Sequence, residues 1–387
     1  MEFIDLKSQQ SQITSNGKKL RENIENRIKN VLDHGQYILG PEVKELENKL
    51  AEYVRVDHCI AISSGTDALL VSLMALGIKK GDEVITTPFS FFSTVETILL
   101  LGAIPVFVDI DPKTYNILPE KILPAITNKT KAILPVSLYG QPADFTEINK
   151  IAKSYQIPVI EDGAQSFGST HNNVKSGALS TIGATSFFPS KPLGGYGDGG
   201  ACFTNDKELA KKIRQISLHG QLKRYFHQVV GINGRLDTIQ AAIILAKLEL
   251  FDEEVKAREN IGNRYTIKLN KFGFFETPFI SSNNKSVYGQ YTIQVDNRDK
   301  IIKELNAKGI PTSVHYPILM SEQNALNENF GIKKSFLKNI FSKKLFKSFE
   351  VKNAQNVCKR VLSLPMHPNL TKEDQDLVIS SLIAVLN

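Results

Sequence analysis

The pattern that most limits the fold is an alternation of short apolar runs with helical stretches between residues 55 and 220. The apolar runs are 84–86, 105–109, 132–136 and 158–160, and the helical stretches are 67–75, 93–101 and 145–155. Short buried strands separated by helices are typical of a mostly parallel sheet covered on both faces. Ligands of such sheets bind at the carboxyl ends of the strands, where Asp109 and Asp162 are placed. We therefore predict an α/β fold with its binding site at that edge.

The length of the chain predicts more than one unit, because 387 residues exceed what a single core usually contains. One long helix is predicted for 237–264, followed by a strand and helices of a small α/β lobe at 291–295, 298–307 and 352–361. We expect a large domain of residues 31–255 and a small C-terminal domain of residues 256–387. Residues 1–30 are expected to pack on the small lobe or at a dimer face.

Composition excludes several classes of protein. Hydrophobic residues make up 42% of the chain and charged residues 22%, which is ordinary for a globular protein. The first residues lack the basic and apolar regions of a signal peptide, and no apolar run approaches the roughly 18 residues of a membrane span. Neither the seven histidines nor the three cysteines, Cys59, Cys202 and Cys358, have metal-ligand spacing. We expect a cytoplasmic protein with no metal site and no membrane partner.

A basic stretch at 330–350 contributes to the net charge of +7. Its lysines and phenylalanines alternate: Lys333, Lys334, Phe336, Lys338, Phe341, Lys343, Lys344, Phe346 and Lys347. One interpretation is a patch for nucleic acid or another anionic surface. We prefer a solvated amphipathic helix that packs on the small lobe, because a single charged helix face is common in soluble proteins. No nucleic-acid partner is therefore expected.

A lysine in a turn rich in glycine and proline indicates the chemistry. Lys191 follows two phenylalanines and a proline and precedes the glycine-rich run 194–200, while Glu161 and Asp162 end an upstream strand. Pyridoxal phosphate needs such a pair, because the lysine amine forms a Schiff base with its aldehyde and a carboxylate keeps its pyridine nitrogen protonated. The alternatives are a solvated surface lysine and a capping or ion-paired acid. Glu161 is the better candidate for a structural role.

A phosphate group needs backbone amides and hydroxyls, and two places offer them. The turn at 63–67, with Gly65 and Thr66, opens a helix, where free amides and the helix dipole favour an anion. Ser186 adds a hydroxyl five residues before Lys191. Taken alone, the turn at 63–67 is equally consistent with an ordinary helix cap.

Further candidates surround these groups. Gln165, three residues after Asp162, is expected to reach the cofactor, with a capping role as its main alternative. Phe91 is a candidate to stack on the cofactor ring, although a core phenylalanine is the simpler interpretation. His315 and Tyr316 follow a Gly-Ile-Pro turn and are candidate substrate contacts, with a packed loop histidine as the alternative.

Together these motifs resemble the DegT/DnrJ/StrS family of pyridoxal-phosphate-dependent nucleotide-sugar aminotransferases. The resemblance covers nearly the whole chain and depends on the segments 65–69, 81–84, 161–165, 186–191, 197–200 and 233–235. It implies the aspartate-aminotransferase-like fold (fold type I), with a large domain built on a mostly parallel mixed sheet and a small C-terminal α/β lobe. A histidine replaces the lysine in family members that act as dehydratases, so Lys191 favours an aminotransferase.

The resemblance also implies roles for individual residues. Asp162 binds the pyridine nitrogen and Phe91 stacks on the ring. Thr66, Ser186 and Asn233 bind the phosphate, with Asn233 reaching in from a second subunit. Active sites shared in this way imply an obligate homodimer.

Within the family, the likeness is strongest to bacterial aminotransferases that act on UDP-2-acetamido-2-deoxy-3-oxo-glucuronate. The segments 3–7, 34–40, 136–141, 311–316 and 363–368 carry this finer likeness. It implies a UDP-sugar and glutamate as substrates, in the synthesis of a surface polysaccharide of the O-antigen type. Two alternatives stay open: an aminotransferase for a 4-keto-6-deoxy nucleotide sugar, and a regulatory protein of the same fold without catalysis.

A 3-keto uronate on a nucleotide brings several negative charges, which the site must bind. Arg235 is the candidate for a bidentate grip on one of them. Lys223 and Arg224 are weaker candidates in a nearby loop. A structural ion pair across the dimer interface is the alternative for Arg235.

Overall fold

The computed structural model describes residues 1–273, 275–327 and 346–386, and its centre is a β-sheet flanked by helices. The strands are β1 His58–Ile62, β2 Glu83–Thr86, β3 Ile104–Phe107, β4 Thr130–Leu134, β5 Ile160–Asp162, β6 Thr170–His171, β7 Val174–Lys175, β8 Ile182–Ser186, β9 Gly200–Thr204, β10 Gln221–Lys223, β11 Phe226–His227, β12 Asn284–Lys285, β13 Tyr291–Gln294, β14 Lys347–Ser348 and β15 Val361–Leu364. The α-helices are α1 Leu6–Gln9, α2 Leu20–His34, α3 Pro41–Val54, α4 Gly65–Ala75, α5 Ser93–Leu100, α6 Pro119–Ile122, α7 Phe145–Ser154, α8 Lys207–Ser217, α9 Thr238–Leu248, α10 Phe251–Leu269, α11 Arg298–Ala307, α12 Asn324–Asn327, α13 Lys352–Arg360 and α14 Lys372–Leu386.

Two four-stranded ladders join into the large sheet. One has the order β1-β9-β8-β5 and the other β14-β3-β2-β4. Parallel bridges from Ile133 to Val159 and from Val136 to Asp162 connect β4 with β5. Among the described strands of this sheet, β9 alone runs antiparallel to its neighbours. The predicted α/β fold with a mostly parallel mixed sheet is confirmed, and the carboxyl ends of the other strands lie along one edge.

Helices bury both faces of the large sheet, which explains why its strands are apolar on both sides. Ile60 and Ile62 of β1 face a cluster that includes α4 and α8. Cys59 and Ala61, which alternate with them, face a second cluster built from α3, α9 and Phe203. Successive side chains of a strand point to opposite faces, so a strand covered twice reads as a continuous apolar run.

A separate apolar cluster forms the core of the C-terminal lobe. It joins the C-terminal half of α10 to α11, α14 and the antiparallel pair β13–β15. Tyr265 and Tyr291 are fully buried there, with ring centroids 4.9 Å apart. This small α/β lobe corresponds to the lobe that the tail of the sequence predicts.

The single helix predicted for 237–264 is wrong, because the chain forms two helices there. Helix α9 ends at Leu248, and α10 begins at Phe251. The amide of Leu250 donates to Lys247 O, a tight turn between them. Neither glycine nor proline marks the break. It follows from tertiary packing, since α9 is buried in the large-domain core whereas α10 extends into the small lobe.

The N-terminal residues pack mainly on α9. Leu20 and Ile24 of α2 lie in one apolar cluster with Ile243 of α9. Before α2, Phe3 O accepts a hydrogen bond from the amide of Met366 in the C-terminal lobe. The boundary drawn at 255/256 lies inside α10, and the division into domains stays a prediction.

Most of the predicted basic helix lies outside the described residues. Of its phenylalanines and lysines, the structure describes Phe346 and Lys347. Lys347 belongs to β14, which pairs with the edge strand β3. Its amine forms an ion pair of 2.5 Å with Glu83, a fully buried carboxylate. Among the described helices, none has the length and apolar character needed to cross a membrane.

Asp109 follows β3 and caps a helix. Its carboxylate, 5% exposed, accepts hydrogen bonds from the amides of Asn353 (2.9 Å) and Ala354 (3.0 Å) at the start of α13. A carboxylate at a helix N-terminus satisfies amides that the helix leaves free. Asp109 thus connects the large sheet to α13.

We expect Asp109→Ala to lower the free energy of unfolding by roughly 2–3 kcal/mol, because buried amides lose a charged acceptor. Asp206→Ala is the matched control, since Asp206 caps α8 in an exposed position and its loss costs about 1 kcal/mol. Urea denaturation followed by circular dichroism measures both. Equal losses would contradict a special role for Asp109.

Candidate active site

The antiparallel strand β9 brings two predicted phosphate-binding segments together. Gly200, its first residue, pairs with Ile62 at the end of β1 and with Ser186 at the end of β8. A Cβ atom at Gly200 would lie 2.5 Å from Ser64 O, which is closer than real contacts allow. Glycine at this position therefore lets the turn after β1 approach the end of β8.

Helix α4 begins in that turn and presents free donors. Ser64 caps it by accepting from the amide of Asp67 at 3.0 Å. Within the described chain, the amides of Gly65 and Thr66 donate to no protein group. A Cβ atom at Gly65 would lie 2.6 Å from the Cβ of Ser186, so only glycine lets the helix come this close. The Ser186 hydroxyl accepts from the amide of Phe188 (3.2 Å), which leaves its own proton for another acceptor.

Asp162 is a buried acid at the carboxyl end of β5, 4% exposed. Its Oδ2 accepts from the Thr94 hydroxyl at 2.8 Å and its Oδ1 from the amide of Ala164 at 3.3 Å. Burial raises the pKa of Asp162, and these two hydrogen bonds and the charge of Lys191 act against that rise. An acid placed in this way needs a cationic partner to be stable in its charged form.

Lys191 lies in the loop between β8 and β9. Its amide donates to Phe188 O at 2.9 Å, so its backbone position is fixed by the loop itself. Burial lowers the pKa of the Lys191 amine, and the charge of Asp162 partly opposes that shift. A lysine with a lowered pKa has more of the neutral amine, which is the nucleophilic and basic form.

Gln165 connects the site to the C-terminal lobe. Its Oε1 accepts from the amide of Tyr139 at 2.8 Å, and its Nε2 donates to the Tyr316 hydroxyl at 3.0 Å. The ring of Tyr316 lies 6.1 Å, between centroids, from that of Phe91, which is half exposed. Gln165 therefore orients Tyr316, and Phe91 is not the buried core residue that its alternative interpretation requires.

His315 directly precedes Tyr316 and is held by a hydroxyl of the C-terminal lobe. Its Nδ1 lies 2.9 Å from the hydroxyl of Ser363, which in turn lies 2.9 Å from that of Thr292. Burial, together with the charge of Lys191, lowers the pKa of His315 to about 4. The imidazole is therefore neutral at physiological pH and acts as a hydrogen-bonding group without charge.

The structure does not bring every candidate together within one chain. The Asn233 side chain is exposed, and inside the described ranges it makes no hydrogen bond to Thr66, Ser186 or Lys191. Its loop is nonetheless close to the phosphate turn, since Ser63 donates to Gly234 O at 3.0 Å. Arg235 is partly buried, and its Nε has no protein partner among the described residues.

Lys223 and Arg224 are solvent-exposed on the hairpin β10–β11. Each lies over an aromatic ring of the same hairpin, with Lys223 Nζ 4.2 Å from the centroid of Phe226. Arg224 lies 5.0 Å from the centroid of Tyr225. Neither cation contacts the site residues of its own chain.

Two residues of the site are not predicted from the sequence. Thr94 bonds to Asp162 from a helix far upstream, and Ser363 holds His315 from a strand near the C-terminus. Single hydroxyl residues have no distinctive spacing, so no sequence signal marks either contact. Both depend on how the strands and helices assemble.

The donor set fits pyridoxal phosphate. Free amides at the start of α4, with the hydroxyls of Thr66 and Ser186, match a phosphate group. Asp162 supplies a buried carboxylate for a protonated ring nitrogen, and Lys191 supplies an amine with a lowered pKa. When bound, this cofactor acts as an electron sink for carbanion chemistry at a substrate amine carbon.

Known proteins with similar sequences cover almost the whole chain. The chain is 50% identical to the Pseudomonas aeruginosa "UDP-2-acetamido-2-deoxy-3-oxo-D-glucuronate aminotransferase", over 99% of each chain. It is 41% identical to the "Pleiotropic regulatory protein" of Geobacillus stearothermophilus, over 94% of each.

A solved structure shares the fold and the cofactor type. NtdA from Bacillus subtilis, with bound cofactor PMP, superimposes with a TM-score of 0.86 at 33% identity, over 100% of this chain and 85% of the other. The model of the DegT/DnrJ/EryC1/StrS aminotransferase family matches residues 18–383, which confirms the resemblance and the cofactor prediction. The chain thus belongs to the DegT/DnrJ/EryC1/StrS aminotransferase family and is a pyridoxal-phosphate-dependent enzyme.

Proposed function

We propose that the enzyme transfers an amino group from glutamate to the 3-keto carbon of UDP-2-acetamido-2-deoxy-3-oxo-glucuronate. We infer this substrate from the 50% identity to the Pseudomonas aeruginosa aminotransferase that is named for it. The similarity extends over 99% of both chains. The product would serve the synthesis of a surface polysaccharide of the O-antigen type. A cytoplasmic location stays a prediction.

We propose a role for each residue of the cofactor site. Asp162 Oδ2, fixed by Thr94, holds a proton on the ring nitrogen of the cofactor through its negative charge. Lys191 would hold the cofactor with its Nζ, and the same amine would carry a proton to and from the substrate carbon. Thr66 and Ser186 orient the phosphate with their hydroxyls. These roles are those that we predict from the sequence. The hydrogen bond from Thr94 supports the role of Asp162, and the close approach of Gly65 supports that of Ser186.

We assign substrate recognition to Arg235, Tyr316 and His315. Arg235 offers an Nε that no protein group of the described chain uses, which suits an anionic ligand. Tyr316, positioned by Gln165, and the neutral His315 offer hydrogen bonds to the sugar ring.

A homodimer with shared sites is part of the proposal. Its support is an exposed apolar surface on the hairpin β10–β11 and the loop after it, which we name the hairpin surface. It comprises Leu222, Tyr225, Phe226, Val229 and Val230, with exposed fractions from 45% to 84%. Contiguous apolar patches of this kind mark protein contacts. The loop of Asn233 and Arg235 follows directly, so a partner that covers the hairpin surface also receives these two side chains.

Two other functions have specific support. A 6-deoxy nucleotide sugar is the first, because relatives at 32–35% identity include dTDP-sugar transaminases of 6-deoxy sugars. Their names place the amino group at carbon 3, so they support the 6-deoxy sugar of the 4-keto-6-deoxy alternative but not its 4-keto group. A regulatory protein is the second, because a relative at 41% identity carries that name. The raised pKa of Asp162 and the lowered pKa of Lys191 favour catalysis over regulation alone, since perturbed pKa values cluster at catalytic sites.

We expect Asp162→Asn to retain the cofactor but to slow the half-reaction with glutamate on the order of 10²-fold or more. A neutral amide cannot keep the ring nitrogen protonated. Stopped-flow absorbance of the cofactor measures the rate. Glu161→Gln is the control: this neighbouring buried acid binds Ser137, Ser176 and the amide of Gly177, so its loss should reduce stability and spare the rate. An unchanged rate in Asp162→Asn would assign the role to another acid.

Shared sites predict complementation between inactive subunits. Mixed Lys191→Ala and Asn233→Ala subunits should recover about one quarter of wild-type activity, because half of the dimers are mixed and each has one intact site. Lys191→Ala mixed with Thr66→Ala is the control and should recover none, since both changes affect groups of the same subunit. Light scattering measures the oligomeric state. A monomer with full activity would refute the shared site.

The substrate proposal predicts strong discrimination between sugars. With glutamate as donor, kcat/KM should favour the 3-keto uronate over a 4-keto-6-deoxy sugar on the order of 10⁴-fold, because the second sugar leaves Arg235 unpaired. Arg235→Ala should remove most of that preference, whereas Lys223→Ala should leave it. If the 6-deoxy sugar is preferred, the uronate assignment is wrong while the family assignment holds.

A further inference from the structure

Three residues that each have an unpaired buried polar atom line one small cavity beside the Lys191 loop. The atoms are Gln9 Oε1, Arg258 Nε and His367 Nδ1, and none of them has a hydrogen-bond partner among the protein groups that the structure describes. Their side chains are 7%, 4% and 4% exposed. All three line a cavity of about 10 Å³, which Lys191 also lines.

The chemistry of each atom is defined by its other contacts. Gln9 Nε2 donates to Glu254 Oε1 at 2.7 Å, so the oxygen of this amide, a pure acceptor, is the end left over. Arg258 donates through Nη1 to Tyr288 O at 3.2 Å, and its Nε–H is a pure donor. Burial lowers the pKa of His367, so its ring is neutral near pH 7 and Nδ1 either donates or accepts.

Leaving three such atoms unpaired would be costly, because each buried polar group without a partner loses its hydration. The cavity must therefore hold something that both accepts and donates. An anion such as chloride accepts from Arg258 but cannot donate to Gln9. A metal cation or ammonium satisfies Gln9 but is repelled by Arg258.

We propose that one ordered water molecule binds here, accepting from Arg258 Nε and donating to Gln9 Oε1, with its remaining hydrogen bond to His367 Nδ1. Water satisfies all three atoms in either tautomer of the histidine. The volume of about 10 Å³ agrees, since roughly 10–15 Å³ is the least that holds one water molecule.

The site makes the N-terminal segment a positioning element for the active site. Gln9 belongs to α1, Arg258 to α10, and His367 to the loop before α14. The water joins these three segments at the wall against which Lys191 lies. This water site is independent of which keto sugar the enzyme aminates.

A crystal structure of the holoenzyme at high resolution tests the occupant directly. We expect a single density peak within hydrogen-bond distance of all three atoms. Crystals soaked in sodium bromide should give no anomalous peak there. A bromide peak would replace water with an anion site, and the absence of any peak would overturn the proposal.

Gln9→Met tests the consequence for Lys191, with Gln12→Met as the matched control. Gln12, on the same segment, donates to Asn369 Oδ1 at 2.7 Å but does not line the cavity. Gln9→Met should lower the Tm by a few degrees, lose the water peak and move the pH midpoint of the visible absorbance of the bound cofactor. Gln12→Met should leave the peak and the midpoint unchanged. Equal midpoints in both variants and the wild type would refute the positioning role.

Discussion

The rest of the site depends on the burial of one negative charge at the end of β5. Asp162 is 4% exposed, and its pKa is raised because burial disfavours the ionised form. Thr94, the amide of Ala164 and the nearby Lys191 offset only part of that cost. A carboxylate in this state is complementary to a protonated heterocycle. Burial shifts the pKa values of the acid and the lysine in opposite directions, and the attraction between the two charges opposes both shifts.

Much of the sheet and of the cofactor site follows from the sequence by elementary rules. Apolar runs separated by helices predict strands whose carboxyl ends share an edge, and Asp162 ends one of them. The strand that ends at Ser186 is not among those predicted. The helix that begins at Gly65 is marked by its capping serine. These signals are local, or have a fixed period, and can be read along the chain.

What the sequence does not predict depends on contacts between distant segments. The break between α9 and α10 carries no glycine or proline and comes from packing against two different cores. Thr94 and Ser363 are ordinary hydroxyl residues until the fold places them beside Asp162 and His315. Within one chain, the side chain of Asn233 is exposed and the Nε of Arg235 has no partner among the described residues. Their roles therefore stay predictions, which the assembled enzyme can test.

The loop that carries Lys191 is closed at its base by the sheet. Ser186 pairs with Gly200, Phe187 donates to Gly199 O, and Gly195 donates back to Phe187 O, both at 2.7 Å. A loop tied at both ends has little conformational entropy left to lose. Short-range hydrogen bonds therefore fix the main chain of the Lys191 loop. Changes in the distant lobe or at the hairpin surface can alter the surroundings of the amine without moving the main chain that carries it.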